Sequence, residues 1–363
     1  MEAVRVGFDT GPLYGPKSGV GFSVEALHRA LAERSDVQLV DYLVSFRARP
    51  EPAVRRLPIP AAVAHRCWAH TGHPRADRWL QGVQVVHGTN YVVPPVRLPR
   101  LVTVHDCWFL RSPHQASAAV NRAGAVMRRA IANGAAVHAV SHATADAVRE
   151  LVPGARVHVV PWGALPLPPP PVAAPIPDLV GRRFIVAIGT LERRKNLPTL
   201  VRAFGRLAAD RPDLDLVLAG RDGDDRTAID AAVDALGSAS TRVLFAGRVD
   251  EGTRSWLLHH ASVLAYPSLD EGFGFPLLDA MQAGVPVVAS DAGAIPEVAG
   301  NAALLGPALD VDALTANLAE ALDDHDTRRR LVAAGHGRRQ QFSWDRCAQE
   351  MAALYRRLAE DSS

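Results

Sequence analysis

Residues Ser268–Ser290 read SLDEGFGFPLLDAMQAGVPVVAS, and the signals run strand end, glycine loop, helix, second strand. An apolar run closes at Tyr266, Glu271 and Gly272-Phe273-Gly274 come next, and Pro276 suits a first helical turn because the N–H it lacks has no partner there anyway. Leu277, Leu278, Ala280 and Met281 supply the buried side of that helix, with Asp279 about one turn in. Glycines let a backbone approach a ligand closely, and a helix start with unpaired amides favours anions. Glu271 and Asp279 are anionic themselves, so they are expected to hold hydroxyls rather than phosphate. A ligand with phosphate in the middle and a polyol at each end, a nucleotide-sugar, fits this order. The plainer alternative is a capping carboxylate on a packing loop.

Working outward, short apolar runs alternate with helical patterns along the whole chain. The first half has strand patterns at 4–9, 37–44, 83–89, 101–106, 137–141 and 157–161, and the second at 183–190, 214–220, 242–247, 262–268 and 286–291. Most are apolar on both faces, as parallel strands covered by helices must be. The alternation predicts two doubly wound, Rossmann-like α/β domains. Seven prolines between Pro166 and Pro177 predict a stiff linker over 164–181. The expected organisation is a first domain 1–163, a second domain 182–341, and a C-terminal helix in 342–363 with Ser343 as its N-cap. Ligands of open α/β sheets bind at the carboxyl edge, so a cleft between two such edges is the expected site.

A second stretch points the same way. GTLERRKNLPTLVRAF (189–204) comes after the first strand of the second half, with Asn196 expected as an N-cap and Pro198 in the first turn. Arg193, Arg194 and Lys195 then sit just before a helix N-terminus. Cations there oppose the helix dipole, so fold stability does not explain them, whereas a diphosphate would. A solvated basic loop is the alternative.

EGFGFPLLDA (271–280) resembles the E-x7-E motif of the family 4 retaining glycosyltransferases of the GT-B fold, and GTLERRKN (189–196) resembles that family's phosphate loop. QAGVPVVASDAGAIPEVAGNAALLGP resembles the family's next segment beyond the motif, while PKSGVGFSVEAL and TVHD carry a looser likeness in the first half. The resemblance implies that Glu271 holds the donor sugar, that Asp279 binds ribose, and that Arg194 and Lys195 hold the diphosphate. It implies that Gly189, Gly272, Phe273 and Gly274 line the donor, that Gly19 approaches it from the loop after the first strand, and that His105 lies at the sugar. It also implies that domain 1–163 binds the acceptor, that domain 182–341 binds the donor, and that the C-terminal helix crosses back to the first domain. Two departures stand out: Asp279 replaces the usual Glu, and Thr190 comes after Gly189 where many members carry Arg. The expected activity is transfer of a sugar, GDP-mannose being the preferred donor, to a glycan, lipid or small-molecule hydroxyl with retention. No metal or other cofactor is expected. A nucleotide-sugar 2-epimerase of the same fold and a non-catalytic nucleotide-sugar-binding protein are the rivals.

Composition narrows the classes. A formal charge of +2 argues against a dedicated nucleic-acid binder, and Cys67, Cys107 and Cys347 are too few and too scattered for a disulfide framework. No apolar run approaches the roughly 20 residues that span a bilayer, and MEAVRVGFDT does not look like a signal peptide. The expectation is a cytoplasmic protein with room for peripheral membrane contact. SGVGFSV lacks the third glycine of a dinucleotide loop, RDGDD (221–225) reads as a turn rather than a metal site, and His138 and His158 read as core or edge residues. The arginines of AVMRRAI (125–131) read as a solvated helix face, with anionic lipid the alternative.

Overall fold

The structure is a computed structural model that describes residues 3–15, 19–46 and 48–361. The chain divides into two compact units, residues 1–163 with 342–363, and residues 164–341.

The first unit is built on β1 (Val4–Asp9), β2 (Val37–Val44), β3 (Arg55–Leu57), β4 (Val85–Gly88), β5 (Arg100–Val104), β6 (Ala136–Ala139) and β7 (Arg156–Val159). They form one sheet in the order β3-β2-β1-β4-β5-β6-β7, every pair parallel. The second unit has β8 (Arg183–Ile188), β9 (Leu214–Ala219), β10 (Val243–Gly247), β11 (Val263–Tyr266), β12 (Val287–Ser290) and β13 (Ala303–Gly306). Their order, β10-β9-β8-β11-β12-β13, repeats the scheme. In each sheet the chain order reverses once, between β1 and β4 and between β8 and β11. A crevice opens at such a point because the loops on either side run to opposite faces.

β3 and β13 carry no strand signal in the sequence. Both are edge strands, and RRL and ALLG are too short or too polar to show a period. β5 ends at Val104, so His105 lies in the loop beyond its carboxyl end. Trp68, Leu80, Phe109 and Met127 pack one face of the first sheet, and Leu200, Phe204, Leu216 and Ile229 pack one face of the second.

The segment 164–181, predicted as a linker, is part of the second unit. Prolines remove backbone donors, and side chains of the unit's body reach the carbonyls that remain. The Gln282 side chain accepts from the Leu167 N–H (3.0 Å) and donates to its C=O (3.1 Å), Ser255 donates to the Pro168 C=O, and Leu167 is buried. The helix Trp344–Glu360 belongs to the first unit, with the Ser343 hydroxyl accepting the Arg346 N–H. It buries Cys347, Met351, Leu354, Tyr355 and Leu358, and a Cβ on Gly163 would lie 2.5 Å from the Trp344 nitrogen. No helix among the described residues is long and apolar enough to cross a membrane.

Candidate active site

The second unit's switch point gathers the expected cations. β8 ends at Ile188, and Gly189 turns the chain with φ 148°. A Cβ there would come within 3.0 Å of Lys195 Cε, and one on Gly220 would lie 1.8 Å from the Gly189 oxygen, so the β8 and β9 ends meet through two glycines. Arg193–Lys195 form one 3₁₀ turn, and the helix Leu197–Ala208 comes next. Asn196, expected as the N-cap, makes no such bond. It sits at φ 50°, its amide donates to the Pro267 and Ala308 carbonyls, and Thr199 donates to its Oδ1. It therefore pins the basic turn to the end of β11.

Glu271 is the anion of this cluster. Its Oε2 lies 2.5 Å from Arg194 Nη1 and its Oε1 lies 2.5 Å from Lys195 Nζ. Lys195 Nζ also donates to the Tyr266 hydroxyl (3.0 Å), and Arg194 donates to Glu192 (2.7 Å) and to the Asp270 carbonyl (2.9 Å). Burial would raise the Glu271 carboxyl, but Arg194 and Lys195 outweigh it and hold it at about 2. Burial pulls the Lys195 ammonium down against the attraction of Glu271, and burial together with Glu271 pushes the Tyr266 hydroxyl well up. Both cations are thus matched by a carboxylate that is itself a hydroxyl acceptor. An incoming diphosphate would compete with Glu271 for them and free its oxygens.

Gly272, Phe273 and Gly274 are buried between Glu271 and the helix Phe275–Ala283, and Phe273 packs against Phe275 with ring centroids 5.1 Å apart. Gly293, which carries no signal of its own in the sequence, supports the same loop. Its φ is 56°, and a Cβ there would lie 2.5 Å from both the Asp270 Oδ1 and the Glu271 nitrogen. The Ala294 N–H donates to the Glu271 carbonyl (2.8 Å), so the Gly293 turn fixes the Glu271 backbone.

Asp279 does not share the Arg194–Lys195 cluster. It is buried on the helix and paired with Arg254 from the helix Glu251–His260, while its Oδ1 is buried without a hydrogen-bond partner among the described residues. Burial raises its carboxyl to about 6, against the pull of Arg254. An orphaned carboxylate oxygen is costly unless a donor such as a ligand hydroxyl reaches it. In RDGDD, Asp222 pairs with Arg226, and the Asp224 Oδ1 accepts the Arg193 N–H.

The first unit holds the other expected residues at its own switch point. His105 donates from Nε2 to the Thr89 carbonyl (2.9 Å), and the Thr89 hydroxyl donates to the Asp9 carbonyl (2.8 Å). Burial lowers the His105 imidazole to about 4, so it is neutral and its Nδ1 is an acceptor. Gly19 is the first residue of the helix Gly19–Ala32 rather than part of a loop, and a Cβ there would meet nothing within 4 Å among the described residues. Pro16, Lys17 and Ser18 before it lie outside the described residues. Asp9, at the end of β1, is a further candidate that sequence reasoning missed. Its Oδ1 accepts the Gly11 N–H (2.9 Å), and burial raises its carboxyl to about 7. Its place at a strand end, VRVGFD, was the available signal; Arg254 and Tyr266 carried none, since only tertiary packing joins them to Asp279 and Lys195.

Residues 176–338 match the family described as glycosyl transferases group 1, and residues 17–164 match glycosyltransferase family 4. The O-antigen chain mannosyltransferase B of Escherichia coli is 34% identical over 182 residues, 50% of this chain and 48% of that protein. A phosphatidyl-myo-inositol mannosyltransferase of Mycolicibacterium smegmatis is 32% identical over 45% of this chain and 42% of its own length. The chain therefore spans about half the length of these relatives. The alpha-maltose-1-phosphate synthase of M. smegmatis is matched more fully, 33% identical over 72% of this chain and 74% of that protein. Among solved structures, a sucrose-phosphate synthase from Thermosynechococcus elongatus superposes with a TM-score of 0.74 at 21% identity, covering 99% of both chains. Anabaena HepE, in complex with UDP and glucose, does so with a TM-score of 0.72 at 17% identity over 97% of this chain and 99% of that one; identities this low speak to fold alone. Two parallel sheets of one repeated order, the glycine loop with its acid and basic turn, and a relative matched over most of its length converge: this chain belongs to the family 4 glycosyltransferases of the GT-B fold.

Proposed function

We propose that the protein transfers a hexosyl unit, mannosyl in the first instance, from a nucleoside-diphosphate donor such as GDP-mannose to a hydroxyl acceptor, with retention at the anomeric carbon. The observation that carries this reading is the second unit's switch point, where Arg194 and Lys195 converge on Glu271. The preference for mannose rests on the mannosyltransferase names among the relatives.

In this mechanism the donor diphosphate takes over Arg194 and Lys195, and Glu271 accepts hydrogen bonds from the sugar. The acceptor oxygen bonds to the anomeric carbon on the face from which the diphosphate leaves. The bond from that carbon to the phosphate oxygen breaks, and the leaving phosphate takes the acceptor's proton. Charge grows on the β-phosphate as that bond breaks, so fixed cations stabilise the transition state more than the ground state. Asp279 and its unsatisfied oxygen suit a ribose hydroxyl. With two side-chain cations in the role a divalent ion plays elsewhere, transfer is expected to persist in EDTA; loss on chelation with recovery on manganese or magnesium would refute that part.

The test is a donor panel of GDP-, UDP- and dTDP-sugars with purified protein, scoring hydrolysis and the anomeric configuration of any product. Release of GDP from GDP-mannose, abolished by Lys195→Ala, is the expected result. A 2-epimerised sugar would favour the epimerase, and binding without turnover of any donor would favour the silent binder.

A further inference from the structure

We propose that the first unit carries a second anion site, for a phosphorylated compound, at the amino-terminal edge of its sheet and therefore at the opposite edge from His105 and Asp9. Two adjoining cavities of about 210 and 360 Å³ open there and share Arg75, Arg100 and Asn133 in their walls. Their setting is the start of β5 at Arg100, the start of β7 at Arg156, and the C-terminal end of the helix Ala118–Ala132. Among the described residues, five arginines line the pair, Arg75, Arg97, Arg100, Arg129 and Arg156, against one lining carboxylate, Asp361. The chain as a whole carries a formal charge of only +2, so this concentration is local.

Part of the cluster has a structural purpose. Arg100 donates to the Asn133 carbonyl and Arg156 to the Gly134 carbonyl (2.8 Å), which satisfies the helix C-terminus, and Arg75 is paired with Asp77 at 2.8 Å. These bonds use a minority of the donors that each guanidinium carries. Arg97 and Arg129 have no ion pair among the described residues, and Arg129 Nε is buried without a hydrogen-bond partner. Burial lowers Arg100, and the neighbouring charge of Arg75 lowers it further, so like charges crowd here. A phosphate offers several acceptor oxygens and up to two negative charges, the complement of such a set of forks. Trp68 and Val126 give the smaller cavity an apolar wall, so the ligand expected is a phosphate ester with a compact body. Arg129, which the sequence pattern places on a solvated helix face, lines this cavity instead.

The source of the phosphate separates experimentally. Calorimetry with glycerol 3-phosphate tests a free ester, and flotation with phosphatidylcholine vesicles containing phosphatidic acid tests a lipid headgroup. The paired variant Arg97→Gln/Arg129→Gln avoids the arginines that close the helix end, and its melting temperature is measured alongside. Lys195→Ala serves as the control for phosphate bound at the donor site. Binding of one probe that survives Lys195→Ala and weakens about tenfold or more in the paired variant, with an unchanged melting temperature, is the expected result. Affinity for both probes that is absent, or equal in wild type and the paired variant, overturns the proposal. A failed donor panel would leave this outcome untouched, because the arginines belong to the first unit and Glu271 to the second.

Discussion

Glu271 answers to two cations at once, and substituting it tests the proposed partner exchange. Glu271→Gln leaves Arg194 and Lys195 buried with one fewer anion, which costs stability in the free protein, of order 3–5 kcal/mol for a broken buried pair. A diphosphate would return that charge. The expected outcome is a lower melting temperature without ligand, a larger upward shift with GDP than wild type shows, and turnover reduced by about two powers of ten. Equal GDP shifts in the two proteins would mean that the cations never leave Glu271. Because the Glu271 carboxyl is depressed to about 2, the stability it adds is present above the unfolded value of 4.5 and is lost as pH falls from there towards 2. Asp279 has the opposite sign. With its carboxyl raised from 3.8 to about 6, the stability that comes from its bound proton is present below 3.8 and lost as pH rises through 6. A ribose hydroxyl on its orphaned oxygen would favour the ionised form. GDP affinity should then climb between about pH 4 and 6 more steeply in wild type than in Asp279→Asn, and Asp279→Ala should weaken GDP binding more than it lowers turnover at saturating donor. Calorimetry across that range decides; parallel pH profiles would make Asp279 a helix residue only.

The first unit's strands are tied to its last helix by a buried chain of hydrogen bonds with a single consistent proton order. The Val160 carbonyl can only accept, so His138 donates to it from Nε2 (2.8 Å) and accepts at Nδ1 from Thr103 (2.9 Å). Thr103 must then accept from His87 Nε2 (2.7 Å), leaving His87 Nδ1 to accept from the Tyr355 hydroxyl (2.7 Å). Tyr355→Phe strands His87 Nδ1 in the core and should cost about 1–3 kcal/mol in urea unfolding; a loss near zero would show that the hydroxyl has no part in docking the helix. Burial lowers His105 and His138 to about 4 from 6.5, so the stability of their neutral forms is complete above 6.5 and lost as pH falls towards 4. At pH 5 unfolding should therefore take up about two protons through these imidazoles. None of this order was legible in the sequence, where His138 reads as one more apolar-strand residue. Glu271, Arg194 and Lys195 were legible because each lies beyond a recognisable strand on a glycine turn, and such turns share the carboxyl edge of a parallel sheet. Gly293, Tyr266 and Arg254 were not, because residues from separate elements meet only after packing. Asn196 departs from expectation for the same reason: cap chemistry predicts a local bond, and two distant carbonyls claim its amide instead.

On the scale of the whole chain, the first unit is assembled from both ends of the sequence and the second from one continuous run. That difference has consequences for folding. Met351, Leu354, Tyr355 and Leu358 of the last helix are buried in the first unit, each worth about 1.5–3 kcal/mol on burial. Their sum rivals the 5–15 kcal/mol, roughly, by which an ordinary domain is stable. The proline-rich stretch, by contrast, is fastened to the second unit through Gln282 and Ser255, so a cut at residue 164 leaves those bonds within that unit. A fragment of residues 164–341 should therefore unfold cooperatively by itself and bind GDP. A chain ending at residue 341 should retain that transition and lose the one belonging to the first unit, and limited proteolysis should reduce it to a core beginning near residue 164. Calorimetric scans of the two fragments beside the full chain check this. If the chain ending at 341 shows the same transitions as the full protein, the last helix is an accessory of the first unit rather than part of its core.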